Sequence, residues 1–118
     1  MKIPYLLVVA VVFFVLGGCA HAPQEDSVPP RTLVIDVRTE QEWQAGHLDG
    51  AILIPNDRVG QEIAAVAPDK KTRIYLYCRT GRLAVPAVDA LKKAGYGDLI
   101  NLGTVENASR VLNLPIVK

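Results

Sequence analysis

The chain reads Ile74-Tyr75-Leu76-Tyr77-Cys78-Arg79-Thr80-Gly81-Arg82-Leu83 where an apolar run gives way to a short polar loop. The run at 73–77 is rich in aromatic and aliphatic residues, which predicts a buried strand with Cys78 at its carboxyl end. Apolar residues at helical spacing over 83–94 predict a helix directly after the loop, with Leu83 on its buried face. A strand joined to a helix by a short loop is typical of sheets with parallel strands.

The same alternation of strands and helices fills the rest of the chain from Thr32 onwards. The predicted strands are 33–37, 51–54, 73–77 and 98–102, and the predicted helices are about 40–44, 59–67, 83–94 and 105–112. This order predicts an α/β fold of three layers, in which a parallel sheet of four to five strands is covered by helices on both faces.

Individual residues refine the predicted helices. Thr39 and Glu42 have the spacing of a capping box at the start of the first helix, and Gly46 ends that helix. Asp57 is expected to cap the second helix. Trp43 is expected to anchor the first helix in the core.

Cys78 lies where ligands bind to parallel sheets, beyond the carboxyl end of a strand. The loop after it turns backbone N–H groups, and the positive end of the next helix dipole, towards the Cys side chain, which favours a thiolate. Arg79 and Arg82 add positive charge, and Gly81 permits a tight backbone path. These features predict a nucleophile in an anion-binding loop; the alternative is an inert Cys that closes a buried strand.

The amino terminus has the pattern of a secretory leader. Lys2 precedes an apolar run over 3–16, which is shorter than the about 20 residues of a membrane-spanning helix. The following Leu16-Gly17-Gly18-Cys19 resembles the lipobox of bacterial lipoproteins, which predicts a signal peptide over 1–19 and lipidation of Cys19. Ala20-His21-Ala22 offers an alternative A-x-A cleavage site, which would release a soluble periplasmic protein.

Residues 20–31 are polar and rich in proline, which predicts a flexible linker before a folded domain at 32–118. We therefore expect a protein of the bacterial cell envelope, on the periplasmic side and lipid-anchored. No Asp follows Cys19, which favours the outer membrane in a Gram-negative host. With 13 basic and 12 acidic side chains, the chain lacks the basic excess of a nucleic-acid binder.

Three segments of the domain resemble the rhodanese family, and in particular its small single-domain periplasmic members. The first runs from Asp36-Val37-Arg38 through Glu42-Trp43 and Gly46-His47-Leu48-Asp49-Gly50-Ala51-Ile52 to Ile54-Pro55. The second is the strand into Cys78 with the six-residue loop that ends at Leu83. The third is Asn101-Leu102-Gly103, which is similar to the family's N-L-G-G, although Thr104 replaces the second Gly.

The resemblance implies a thiosulfate sulfurtransferase that works in two steps. The Cys78 thiolate takes the outer sulfur of a small anionic donor such as thiosulfate, and the resulting persulfide passes it to cyanide or a thiol. The residues that would bind the substrate are Arg79, Thr80, Gly81, Arg82 and Leu83. Asp36 and Arg38 would form an ion pair near this loop, whose role we expect to be structural.

No metal or organic cofactor is expected, because two scattered His and one available Cys do not make a metal site. The loop is also one residue shorter than that of Cys-dependent phosphatases and arsenate reductases, and Ala84 stands where their Arg would be. His47 is expected to be structural rather than a general base. A rhodanese-like binding or sensor module without turnover remains the alternative function, and the oligomeric state stays open.

Overall fold

A computed structural model of the chain describes residues 32–118. The predicted signal peptide with its lipidation site Cys19, and the predicted linker at 20–31, lie outside the described residues. The elements of the described part are β1 Thr32–Asp36, α1 Glu40–Ala45, β2 His47–Leu48, β3 Ile52–Leu53, α2 Val59–Val66, β4 Arg73–Cys78, α3 Ala84–Lys93, β5 Leu99–Thr104, α4 Val105–Leu112 and β6 Ile116–Val117.

The central sheet has four parallel strands in the order β3-β1-β4-β5. β1 and β4 lie in the middle; β4 is largely buried and β1 is buried at its carboxyl end, as expected of parallel strands covered on two faces. All four strands end at the same edge of the sheet, so the loops after β1, β3 and β4 and the start of α4 after β5 meet there. The predicted α/β fold with a parallel sheet of four to five strands is confirmed.

Helices α2 and α3 cover one face of the sheet. Ile63 of α2 and Leu91 of α3 pack there with Ile35 and Leu76 of the central strands. On the other face, α4 and the short strand β2 pack against the sheet through a second cluster. That cluster contains Leu48, Tyr77, Leu102, Val105 and Ala108. The two clusters explain the three-layer arrangement, because each face of the sheet has its own apolar cover.

A second, two-stranded sheet was not predicted. In it β2 and β6 pair antiparallel, with His47 opposite Val117 and Leu48 opposite Ile116. The backbone N–H of Asp49 also donates to the carbonyl of Pro115. This pairing binds the carboxyl-terminal strand β6 to β2, on the face of the sheet that α4 covers.

Three predictions about the helices differ from the structure. Asp57 does not cap α2: Arg58 occupies the N-cap position without a side-chain hydrogen bond, because residues 55–58 form a turn that ends before the helix. Trp43 is not a core anchor, since α1 buries none of its residues. Leu83 precedes α3 and is 43 % exposed, because the helix turns Ala84 rather than Leu83 towards the core.

The ends of α1 and α3 follow the predictions. Thr39 and Glu42 form the capping box, with each side chain bonded to the other's backbone N–H. Gly95 follows α3 with φ +100°, and its N–H donates to the carbonyl of Lys92. None of the helices in the part of the chain that the structure describes is long and apolar enough to cross a membrane.

Candidate active site

Cys78 is the last residue of β4 and lies at the carboxyl edge of the sheet. Its side chain belongs to the apolar cluster under α2 and α3, and none of it is exposed to solvent. Thr104 is its register partner on the neighbouring strand β5. The strand therefore delivers the thiol to the place where parallel sheets bind ligands.

The loop after β4 folds back over the thiol. The backbone N–H of Gly81 donates a hydrogen bond to Sγ of Cys78, with 2.7 Å between nitrogen and sulfur. Gly81 achieves this with φ +89°, a conformation that side chains disfavour. A Cβ at this position would also lie 3.2 Å from Cα of Gly103. Glycine is thus required at position 81 for both its conformation and its close approach to β5.

The side chain of Asn101, a residue of β5, joins this loop to the carboxyl-terminal end of that strand. Its Nδ2 donates to the carbonyl of Gly81 over 3.2 Å, and its Oδ1 accepts from the N–H of Gly103 over 2.9 Å. No role for Asn101 was expected from the sequence. The signal was present, however, because Asn with Gly two residues later is typical of a side chain that bonds to its own backbone turn.

The other predicted loop residues surround the thiol on the solvent side. Arg79, Thr80, Arg82 and Leu83 are all exposed. Neither arginine forms a salt bridge within residues 32–118, so both guanidinium groups are available to an anion. Thr80 accepts a hydrogen bond from the backbone N–H of Arg82, over 3.4 Å, which steadies the turn.

Asp36 and Arg38 form a buried ion pair at the end of β1. Asp36 is fully buried, Arg38 is 7 % exposed, and Nη2 of Arg38 lies 2.7 Å from Oδ2 of Asp36. Nη2 also donates to the carbonyl of Gly46 over 2.6 Å, which ties the end of α1 to the sheet. Burial by itself lowers the pKa of Arg38, but the hydrogen bonds and charge of Asp36 outweigh burial and raise this pKa overall.

The ion pair and the residue after Asp36 contact Tyr77, which precedes Cys78 in β4. The guanidinium carbon of Arg38 lies 5.5 Å from the centroid of the Tyr77 ring, and the N–H of Val37 donates to the carbonyl of Tyr77. The Tyr77 hydroxyl in turn accepts from the N–H of Leu48 over 3.0 Å. The side-chain hydrogen bonds of Arg38 go to Asp36 and Gly46 rather than to the loop at 79–83. The structural role of the ion pair stays a prediction.

The site is thus a thiol at the end of a central parallel strand, under a short loop with two exposed arginines. The sequence model of the rhodanese-like domain family matches residues 20–104 of this chain. The chain belongs to the rhodanese-like domain family.

Relatives of this rhodanese-like domain include named sulfurtransferases. The thiosulfate sulfurtransferase PspE of Escherichia coli is 37 % identical over 73 residues, which cover 62 % of this chain and 70 % of PspE. The probable adenylyltransferase/sulfurtransferase MoeZ of Mycobacterium tuberculosis is 36 % identical over 100 residues, which cover 75 % of this chain. The match spans only 25 % of MoeZ.

Solved structures agree with the fold. The structure described as a rhodanese with anions from E. coli is 34 % identical, with a TM-score of 0.67. The similarity covers 74 % of this chain and 98 % of that one. The rhodanese-like domain of the Alr3790 protein from Anabaena is 25 % identical over 75 % of this chain, with a TM-score of 0.64.

Two further positions of the rhodanese-like domain bear on the site. Thr104, which replaces the family's second Gly, is the N-cap of α4, and its hydroxyl accepts from the N–H of Asn107 over 3.0 Å. His47 stacks on Trp43 with 3.5 Å between ring centroids, and its Nδ1 lies 2.9 Å from the Trp43 carbonyl. His47 is thereby bound to α1. Within residues 32–118 no group of three or more His, Cys, Asp or Glu side chains could hold a metal ion.

Proposed function

We propose that this protein is a sulfurtransferase that carries sulfane sulfur as a persulfide on Cys78. The observation that carries the proposal is the Gly81 N–H on Sγ of Cys78, inside a loop whose two arginines are exposed and unpaired within the described residues. A backbone donor stabilises negative charge on sulfur, and the arginines attract an anionic donor. The names of PspE and MoeZ describe sulfurtransferases, which supports the same chemistry here.

The first half-reaction loads the sulfur from thiosulfate or a similar donor. The Cys78 thiolate attacks the outer sulfur of thiosulfate and forms a new S–S bond. The bond between the two sulfurs of thiosulfate breaks, and its electron pair leaves with sulfite. Arg79 and Arg82 hold the sulfonate oxygens during this step, because guanidinium groups bind such oxyanions through charge-assisted hydrogen bonds.

The second half-reaction discharges the persulfide. Cyanide or a thiolate attacks the outer sulfur, the S–S bond to Cys78 breaks, and its electron pair returns to Cys78 as a thiolate. Thiocyanate or an acceptor persulfide leaves. The Gly81 N–H stabilises the anionic sulfur in both forms of the enzyme.

The loop must move to admit the additional sulfur. Sγ of Cys78 is shielded from solvent, and the Gly81 nitrogen is only 2.7 Å away from it. An outer sulfur therefore has to displace this N–H from Sγ, after which the N–H can bond to the outer sulfur itself. The exposed segment from Arg79 to Leu83 is the part of the site that has the room to shift.

The complete burial of Cys78 also favours the alternative function, a binding or sensor module without turnover. In such a module the thiol would only pack under the loop. The two functions differ in one measurable respect, which is whether Cys78 accepts sulfur.

The test uses the full chain, as wild type and as Cys78→Ser, each treated with thiosulfate and weighed by intact-mass spectrometry. We expect one additional sulfur atom on the wild type, none attributable to position 78 in the variant, and release of thiocyanate after addition of cyanide. If the wild type gains no sulfur from thiosulfate or from other sulfane donors, the sulfurtransferase proposal is wrong and the binding module takes its place.

We also propose that the protein is held in the cell envelope by a lipid on Cys19. The support is the leader pattern that ends in Leu16-Gly17-Gly18-Cys19. Expression of the full chain in a Gram-negative host should give a mature protein that begins at Cys19, carries acyl chains and partitions into detergent. Cys19→Ser should abolish the acylation. A mature wild-type chain that begins after Ala22 would instead identify a soluble periplasmic protein.

A further inference from the structure

Within the described residues, the side chain of Asn101 hydrogen-bonds both to the Cys78 loop and to the carboxyl-terminal end of its own strand, β5. Its carboxamide uses its oxygen for the N–H of Gly103 and its nitrogen for the carbonyl of Gly81. Gly81 is also the residue whose own N–H donates to Sγ of Cys78. A continuous line of hydrogen bonds therefore runs from the end of β5 at Gly103, through Asn101 and Gly81, to the thiol.

We propose that Asn101 is a positioning residue for the Cys78 site, which aims the Gly81 N–H at the sulfur. A role of Asn101 in catalysis rests on the proposed sulfur transfer, whereas its effect on the ionisation of the Cys78 thiol does not. Asn101 is not a catalytic residue, because it contacts backbone atoms on both sides and not the sulfur.

The need for such a residue follows from the conformation of Gly81. Glycine has the widest choice of backbone conformations of any residue, so its φ of +89° has to be selected by contacts. Asn101 holds the carbonyl on one side of the Gly81 Cα, which fixes where the N–H on the other side points. The bond to Gly103 holds the carboxamide itself in place, so that its Nδ2 faces the loop.

The test replaces Asn101 with Ala in the full chain. Without the tether, Gly81 samples conformations in which its N–H does not face Sγ. The thiolate of Cys78 then loses part of the stabilisation from that donor. One partly exposed hydrogen bond corresponds to about a three- to fivefold change in equilibrium. We expect the ionisation midpoint of Cys78 to rise by about half a pH unit.

Asn107→Ala is the matched control. Asn107 also donates from Nδ2 to a backbone carbonyl near the end of β5, that of Leu102, over 2.6 Å. It does not contact the Cys78 loop. Both variants therefore lose one amide-to-carbonyl bond next to β5, but only Asn101→Ala loses the tether to Gly81.

The readout is the pH dependence of Cys78 alkylation by iodoacetamide, followed on the tryptic peptide 74–79, which separates Cys78 from Cys19. The charged groups at the same edge of the sheet are unchanged in the wild type and in both variants, so they do not contribute to a difference in the ionisation midpoint of Cys78. They are Asp36, Arg38, Asp57, Arg58, Arg79, Arg82 and Glu106. The alkylation rate alone is not the criterion, because a looser loop also exposes the thiol.

The expected result is a raised midpoint in Asn101→Ala and an unchanged one in Asn107→Ala, with a similar thermal unfolding temperature in both. Equal shifts in the two variants would overturn the proposal, and so would faster alkylation of Asn101→Ala at an unchanged midpoint. The second outcome would show that Asn101 only keeps the loop closed. Because alkylation needs no sulfur donor, this result is independent of whether the wild type forms a persulfide.

Discussion

Replacing Arg38 with Met tests the structural role of the buried ion pair. The substitution removes the guanidinium from a site where Asp36 is fully buried and Arg38 is 7 % exposed. Asp36 keeps only the backbone N–H of residue 38, at 2.9 Å. The carbonyl of Gly46 also loses its 2.6 Å bond to Nη2. An uncompensated buried charge of this kind costs about 3–5 kcal/mol.

That loss is large for a domain of this size. Small domains unfold with a free energy of about 5–15 kcal/mol, and each kcal/mol corresponds to about 4–8 °C in Tm. We therefore expect Arg38→Met to lower Tm by at least about 12 °C. Urea unfolding followed by circular dichroism measures the same change as a shift of the midpoint.

Arg73→Met is the matched control on the same sheet. Arg73 pairs with Asp98 over 3.0 Å, but both side chains are more than a third exposed. Exposed pairs contribute about 0–1 kcal/mol, so this variant should lose only a few degrees. If Arg38→Met and Arg73→Met were destabilised to within about 1 kcal/mol of each other, the reasoning about burial would be refuted. Adding Asp36→Asn to Arg38→Met should restore part of the lost stability, because it removes the unpaired charge.

Three further predictions address the loop, the α4 cap and pH. Gly81→Ala should lower the free energy of unfolding in urea by about 1–3 kcal/mol, because φ of Gly81 is +89° and the new Cβ meets Gly103. It should also lower the fraction of protein that forms the persulfide, as measured by intact mass. An unchanged persulfide fraction would contradict the assignment of the Gly81 N–H to the sulfur. Thr104→Ala should lower the free energy of unfolding by about 1 kcal/mol, and Thr104→Gly by only a few tenths of a kcal/mol, since Ala is the poorer N-cap. Equal losses in the two variants would argue against a capping role for Thr104. Burial raises the pKa of Tyr77 above its ordinary value of 10.0. Above about pH 10 the folded protein therefore keeps the proton of the Tyr77 hydroxyl, whereas the unfolded chain releases it. Stability should therefore fall as pH rises above about 10, and fall less steeply in Tyr77→Phe, as urea unfolding from about pH 8 to about pH 11 would show.

Local patterns were enough to predict the part of the fold that carries the site. The apolar run before Cys78 and the helical spacing after it determine the strand, the loop and α3 almost residue by residue. The capping box of Thr39 and Glu42 was predictable for the same reason, since both partners lie within one helical turn. These features depend on residues that are close in sequence.

Features that depend on distant residues were missed. β2 and β6 are two residues each and lie about 70 residues apart, so neither has the length for an alternating pattern. Trp43 was expected in the core because of its size, but α1 lies outside the apolar clusters and the ring stacks on His47 instead. The hydrogen bond from Asn101 to Gly81 joins β5 to the loop after β4, and only the sheet order brings these two segments together.

The alternation of side chains along β4 separates support from chemistry at the site. Tyr77 points to the α4 face, where Arg38 and the Leu48 N–H hold its ring and hydroxyl. Cys78, the next residue, points to the α2–α3 face under the Gly81 loop. The ion pair of Asp36 and Arg38 consequently supports β4 at Tyr77, and within residues 32–118 the Arg38 side chain makes no hydrogen bond to the Cys78 loop. It follows that an Arg38 variant that stays folded at the assay temperature should still load sulfur, whereas a change at Gly81 or Asn101 alters the thiol without loss of the fold.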